Sequence, residues 1–170
     1  FRQQFAQVTN PPIDPLRESI VMSLQTQIGP ECNIFTPAPE HARQIVLGSP
    51  ILSQRKLRQI LGLKEVTHEF IDLQYDPAEG LKNAILRMCA QAENAVREGK
   101  LVLLLSDRYL VKGKLPAHAL LVTGAVHHHL VRTGLRCKCN LLVETGTARD
   151  PHHFACLIGY GATAVYPYMA

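Results

Sequence analysis

The stretch Leu101-Val102-Leu103-Leu104-Leu105 decides how the rest of the chain is read. Five apolar residues in succession leave no polar face, which is the pattern of a strand covered on both sides, and such strands belong to parallel sheets. On its N-terminal side, Val66 to Leu73 suits a strand and Asp76-Pro77 offers a helix cap followed by proline at the first position. Leu81, Ala84, Ile85, Met88, Ala92 and Val96 then trace one helical face that ends at Gly99. On its C-terminal side, Pro116 predicts a helix to about Thr133 with Gly134 as its stop, and Leu141-Leu142-Val143 predicts a third strand. Asp150-Pro151 opens a third helix to about Gly159, and Thr163-Ala164-Val165 begins a fourth strand. Residues 66–170 therefore read βαβαβαβ. Alternation of this kind predicts an α/β fold with right-handed crossovers and a parallel sheet, either open and doubly wound or a partial (β/α)-barrel arc. A final strand with no helix after it predicts an edge of unpaired N–H and C=O groups, on which two copies could pair as a homodimer.

Residues 1–65 read differently. Thr9-Asn10-Pro11-Pro12-Ile13-Asp14-Pro15 predicts an extended arm, because each proline lacks an N–H and pushes its predecessor toward extended geometry. Asp14 as cap and Pro15 at the first position predict a helix through Leu16, Ile20, Leu24 and Gln27 that stops at Gly29-Pro30. Cys32 to Glu40 reads as loop, Ile45-Val46-Leu47 as a short apolar piece, and Ser53 as the start of a helix carrying Leu57, Ile60 and Leu61.

The chain has 170 residues, 46% of them apolar, enough for one hydrophobic core. Its 18 Lys+Arg against 14 Asp+Glu leave a net charge of only +4, and the basic run Arg55-Lys56-x-Arg58 has the spacing of a solvated helix face, so no nucleic-acid partner is implied. Five irregularly spaced cysteines fit free thiols in a reducing, cytoplasmic setting. The start at Phe1 has no initiator Met, no apolar leader and no cleavage pattern, so it reads as a cut, and no apolar run approaches membrane-spanning length; the expectation is a soluble protein without a membrane partner.

His127-His128-His129 looks like a metal site and is read otherwise. Successive helical residues step by about 100°, so three neighbouring histidines fan out around the axis, whereas chelation uses spacings of three or four. With Leu120, Val126, Leu130 and Val131 on the packed side, His127 is expected to be buried and bonded to a neighbour, His128 exposed near Arg132, and His129 at an edge. His152 and Cys156 have i, i+4 spacing, but two ligands do not make a site, and Cys137-x-Cys139 is no zinc knuckle. Ser106, Asp107 and Glu144 fall just past the carboxyl ends of two strands, where parallel α/β folds place their sites. With Arg108, Arg149 and His153 they form a candidate polar cluster for acid–base or anion-binding chemistry; the competing reading is helix capping and pairing with the arginines. Glu144-Thr145-Gly146-Thr147-Ala148 has one glycine only and lacks a phosphate-binding fingerprint, and Gly159-Tyr160-Gly161 reads as a helix end with a tight turn.

Several strings occurring in the same order resemble the central domain of the glutamate synthase large subunit. They are Phe5-Ala6-Gln7-Val8-Thr9-Asn10-Pro11-Pro12-Ile13-Asp14-Pro15, then Leu104-Leu105-Ser106-Asp107-Arg108, then Gly124-Ala125-Val126-His127-His128-His129-Leu130. They continue with Leu142-Val143-Glu144-x-Gly146-x-Ala148-Arg149-x-x-His152-His153-Phe154-Ala155 and Gly159-Tyr160-Gly161-Ala162. The resemblance implies a parent, NADPH- or ferredoxin-dependent, that moves the amide nitrogen of glutamine to 2-oxoglutarate and reduces the imine to glutamate. It also implies neighbours in the same chain: an amidotransferase domain with a nucleophilic cysteine, an FMN-binding (β/α) barrel with a 3Fe-4S cluster, and a β-helix. The family's central domain resembles a cofactor-free relative of that barrel, beside the path carrying ammonia between the catalytic domains. Phe1 stands where no nucleophilic cysteine begins the chain, and the cluster-binding cysteine pattern is missing. No catalytic, cofactor-binding or metal residue is therefore carried over. The expectation is a non-catalytic scaffold and connector, and the alternative is a free-standing small enzyme using Asp107, Glu144 and His153 around an anion or metal.

Overall fold

The computed structural model describes Pro15, Leu16, Glu18 and residues 22–170; the proposed arm over 9–14 lies outside the described residues. The sheet is built from β3 (His68–Asp72), β5 (Val102–Ser106), β7 (Asn140–Thr145) and β8 (Ala164–Pro167), hydrogen-bonded in that order and all parallel. The crossovers are α2 (Leu81–Arg97), α3 (Ala119–Arg132) and α4 (Pro151–Gly159). Alternation along the strands sorts the side chains onto two faces. Leu103, Leu105, Leu141, Val143 and Val165 pack with Ala84, Met88, Val122, Val126, Leu130 and Leu157 of the three helices. All three crossovers thus cover one face, and strand order follows chain order with no reversal. That is the connectivity of an arc of a (β/α) barrel rather than of a doubly wound sheet, and the arc is open, since four strands do not close.

The other face, with Val102, Leu104, Leu142, Ala164 and Tyr166, is covered by the N-terminal region. Here β1 (Thr26–Ile28) pairs antiparallel with β2 (Ile45–Leu47), and α1 (Gln54–Leu61) follows. Ser53 caps α1 as expected, its hydroxyl accepting from the Lys56 N–H at 3.3 Å, and Leu57 and Ile60 are buried. The helix expected through Gln27 is corrected: Pro15, Leu16 and Glu18 are helical, but residues 22–25 are irregular and Thr26–Ile28 is a strand. The β-branched Thr26 and Ile28 suit a strand, and burial of Ile28 against the sheet overrides the helical spacing. Asn140 ties the layers together by donating from Nδ2 to the Gly29 carbonyl at 2.9 Å.

Two helix starts are also corrected. Asp76-Pro77 makes a turn instead of a cap: Asp76 accepts from the Ala78 N–H at 2.8 Å through Oδ1 and from the Glu79 N–H through its carbonyl, and α2 begins after Gly80, whose φ is +75°. Pro116 belongs to β6 (Leu115–Pro116), a short strand antiparallel to β4 (Gln74–Tyr75), so α3 begins three residues further on, at Ala119, with His118 as its cap. The His118 ring accepts from the Leu120 N–H at 3.3 Å.

The edge of β8 is less bare than its position suggests. Val165 donates to the Pro50 carbonyl and accepts from the Leu52 N–H, each at 2.8 Å, and the Pro167 carbonyl accepts from the Ala170 N–H. Residues 50–52 thereby lie along β8 as a parallel bridge at Val165.

Candidate functional site

The carboxyl ends of β5, β7 and β8 carry the polar groups singled out above, and each carboxylate is enclosed by its own set of donors. Glu144 lies on the strand β7 face shared by Leu142, and its register partners are Ser106 and Tyr166. Its two oxygens accept from the Ser106 hydroxyl at 2.6 Å and from Arg108 Nη1 at 3.0 Å. The same Nη1 lies 3.4 Å from the Tyr166 hydroxyl, and the guanidinium sits 5.4–5.8 Å from the ring centres of Tyr109, Tyr166 and Tyr168. The hydrogen bond to Glu144, foremost, holds the Arg108 pKa above its ordinary value.

Asp107 is turned toward the next residue of β7. Its carboxylate accepts from the Thr145 hydroxyl, from the Gly146 N–H at 3.1 Å and from the Tyr168 hydroxyl at 2.8 Å. Burial, assisted by that bond to Asp107, pushes the Tyr168 pKa up to about 12, so the phenol remains a donor at neutral pH. Thr145 follows Glu144 in the strand and points to the opposite face, while Tyr168 joins the two groups, its hydroxyl on Asp107 and its ring beside Arg108, and the Asp107 N–H donates to the Glu144 carbonyl.

Arg149 and His153 make no hydrogen bond to either carboxylate among the contacts of the described residues. Both are exposed; Arg149 Nε approaches the Gly146 carbonyl at 3.4 Å, and the His153 ring accepts from the Arg149 N–H at 3.2 Å. Asp150 caps α4 by accepting from the His153 N–H at 3.1 Å, a bond that holds its carboxyl below the usual range. A cavity of about 470 Å³ opens at this end and is lined by Asp107, Arg108, Thr147, Arg149 and Tyr168 among others, but not by Glu144 or His153. Asp107, Glu144 and His153 thus do not meet in one pocket. Tyr166 and Tyr168 carry no signal in the sequence, because nothing in their spacing says that they reach the ends of β5 and β7.

The histidine run lies on α3 as a fan. His127 is half-buried rather than buried, accepting at Nδ1 from Arg136 Nε at 3.1 Å, with burial foremost in lowering its pKa. His128 is exposed, and His129 reaches Glu93 of α2 at 2.6 Å. Val131, expected on the packed side, is exposed; Ala119, Val122, Thr123, Val126 and Leu130 form that side.

Metal and cofactor chemistry were tested against the donors present. No group of three or more His, Cys, Asp or Glu side chains able to hold a metal occurs among the described residues. His152 and Cys156 pair at 3.6 Å without a third ligand. Cys89 and Cys139 are buried, and burial pushes the Cys139 thiol up to about 11. The turn after β7 is filled by the chain itself. Asp107 takes the Gly146 N–H, and a Cβ on Gly146 would come within 2.9 Å of the Tyr168 hydroxyl oxygen. These donors fit neither an iron–sulfur cluster nor a flavin phosphate.

The family model described as glutamate synthase central domain matches residues 1–170. The chain is similar to ferredoxin-dependent glutamate synthase 2, chloroplastic, of Arabidopsis thaliana, at 44% identity over 178 residues. It is 43% identical over 175 residues to the glutamate synthase [NADPH] large chain of Bacillus subtilis and 42% identical over 177 to glutamate synthase [NADH] of Schizosaccharomyces pombe. In each case all of this chain is covered, and it spans 8–11% of the relative's length. The chain belongs to the glutamate synthase central domain family.

Proposed function

We propose that this domain is a non-catalytic scaffold of a glutamate synthase, linking a glutamine amidotransferase domain to an FMN-binding synthase domain beside the route taken by ammonia. In that enzyme glutamine, 2-oxoglutarate and a reductant give glutamate, with FMN and a 3Fe-4S cluster held by the neighbouring domains and none by this one. The observation that carries the reading is the commitment of both strand-end carboxylates to internal donors. Glu144 is taken by Ser106 and Arg108, and Asp107 by Thr145, Gly146 and Tyr168, so neither presents a free oxygen poised for proton transfer. In this reading Asp107 and Glu144 fix the strand-end loops, while Arg149 and His153 shape the entry to α4. The relatives' names specify ferredoxin, NADPH and NADH at closely similar identity, which supports placing the choice of electron donor outside this domain. The protein works in the cytoplasm or, as the plant relative's name states for that protein, in the chloroplast. No helix among the described residues is long and apolar enough to cross a membrane.

Purification of the 170-residue chain tests this reading. It is expected to be colourless, to bind no FMN on titration and to show no glutaminase turnover. Stoichiometric flavin or measurable glutamine hydrolysis would overturn it.

A further inference from the structure

The outer side of the helical layer carries a cavity that neither the fold nor the strand-end groups use. It runs along the valley between α2 and α3 with a volume of about 740 Å³, a size at which small-molecule sites are found. Its lining is mainly apolar. Leu86 and Leu121, 59% and 48% exposed, come from the two helices, with Ile85, Cys89 and Ala125 beside them. Tyr160 lines the side toward α4. Its Cδ1 lies 3.0 Å from where a Cβ on Gly124 would stand, so a glycine is what lets the ring rest on α3.

The polar groups along this valley are one-sided. Glu93 is the single carboxylate lining it among the described residues, and both its oxygens are taken: Oε1 accepts from Arg97 Nη2 at 2.7 Å and Oε2 pairs with His129 Nε2 at 2.6 Å. Arg132 is the opposite case. Its side chain forms no hydrogen bond or ion pair with the described residues, while its charge acts on the Cys89 thiol. An apolar valley thus ends in a free cation with no acceptor left to meet it. From Leu121 to Arg132 the helix rises about 16 Å, at about 1.5 Å per residue, which is the reach of an extended acyl chain. We propose that this valley is a binding site for an amphipathic carboxylate, its acyl chain laid along Leu86, Leu121 and Ala125 and its head group paired with Arg132. Apolar burial and a guanidinium–carboxylate pair then act on one molecule. A slender chain suits the valley better than a partner's helix, which is about 10 Å across and would have to displace the Tyr160 ring. A small inorganic anion would leave the apolar lining in water.

The site is separate from the strand ends, and binding there does not depend on whether the domain turns over a substrate. Its test is photolabelling of the full-length enzyme with a dodecanoate analogue carrying a diazirine on the chain, the labelled peptides being identified by mass spectrometry. The expected result is saturable labelling within residues 85–93 and 118–132, suppressed by unlabelled dodecanoate and not by dodecylamine. Arg132→Gln should lower it by about tenfold, the effect of one lost charge-assisted pair, whereas Arg55→Gln on the exposed side of α1 should leave it unchanged. Labelling that dodecylamine suppresses equally, or that Arg132→Gln leaves intact, would overturn the proposal, because the valley would then be an apolar surface without an anion site. Absence of label from both segments would overturn it outright. Labelling that falls with rising enzyme concentration under excess probe would give the valley to a second copy and overturn it as well.

Discussion

The two faces of the parallel sheet are closed by different means. On the helical face the cover comes from the crossovers themselves, each within a short stretch of chain from the strands it joins, and Leu103, Leu105, Leu141, Val143 and Val165 are wholly buried. On the other face the cover comes from β1, β2 and α1, segments far away in sequence, and it does not reach β3: Ile71 is closed on the helical side while its neighbour Phe70, on the other, is exposed. Local connection gives a complete layer, and long-range docking gives a partial one. At the strand ends the two faces are joined: Glu144 anchors Arg108, Asp107 ties Thr145 and Gly146, and Tyr168 reaches both groups.

Adjacent leucines of β7 provide the sharpest contrast. Leu141→Ala opens a cavity in the complete helical layer and is expected to cost about 4 kcal/mol, whereas Leu142→Ala, facing the thinner cover, is expected to cost about 2.5 kcal/mol because that cover can settle inward. Denaturant titration measures both, and equal costs would break the comparison. Next in size is Arg108→Met, which leaves the buried Glu144 carboxylate without its cation. Partial exposure of the arginine keeps the expected loss at about 3 kcal/mol, the lower end for a buried pair.

Gly161→Ala probes the helical side on a smaller scale. At φ +112° an L residue is strained, and the new methyl would overlap the His127 ring, so a loss of about 2 kcal/mol is expected. If the ring is the obstacle, His127→Ala in the same chain recovers part of that loss; no recovery would leave backbone strain as the whole cause. The smallest effect is with pH. Burial lowers the His127 pKa below its unfolded value, so the unfolded chain binds the extra proton more readily. The stabilisation due to His127 is complete above an unfolded pKa of about 6.5 and is lost as pH falls through it toward the folded value. Comparing denaturation midpoints of the protein and its His127→Asn variant between about pH 8 and pH 5 should show a shallower slope in the variant.

What could be read in advance follows the same division. The strands and helices of residues 66–170 were legible because each pairs with a neighbour in sequence and has its own apolar period. Asp150-Pro151 opens α4 as expected. Asp76-Pro77 and Pro116, the same kind of signal, were taken by a turn and a short ladder, since a cap residue bonds equally well to its own following backbone. Thr26–Ile28 was read as helix because its partner, Ile45–Leu47, lies beyond a long loop and leaves no local trace. At the strand ends Asp107 and Glu144 are legible by position, but Tyr166 comes from β8 and Tyr168 from just beyond it, and only the pairing of β7 with β8 brings them in. Arg149 shares the strand-end cavity with Asp107, whereas His153, equally near in sequence, does not line it.

The reading of the strand-end acids as structural is tested most directly by Glu144→Gln in the full-length enzyme, measured for both thermal midpoint and turnover. The account predicts a midpoint lower by several degrees with kcat of the folded enzyme unchanged. A kcat reduced by about a hundredfold or more at an unchanged midpoint would contradict it, because that is the signature of a lost proton-transfer group.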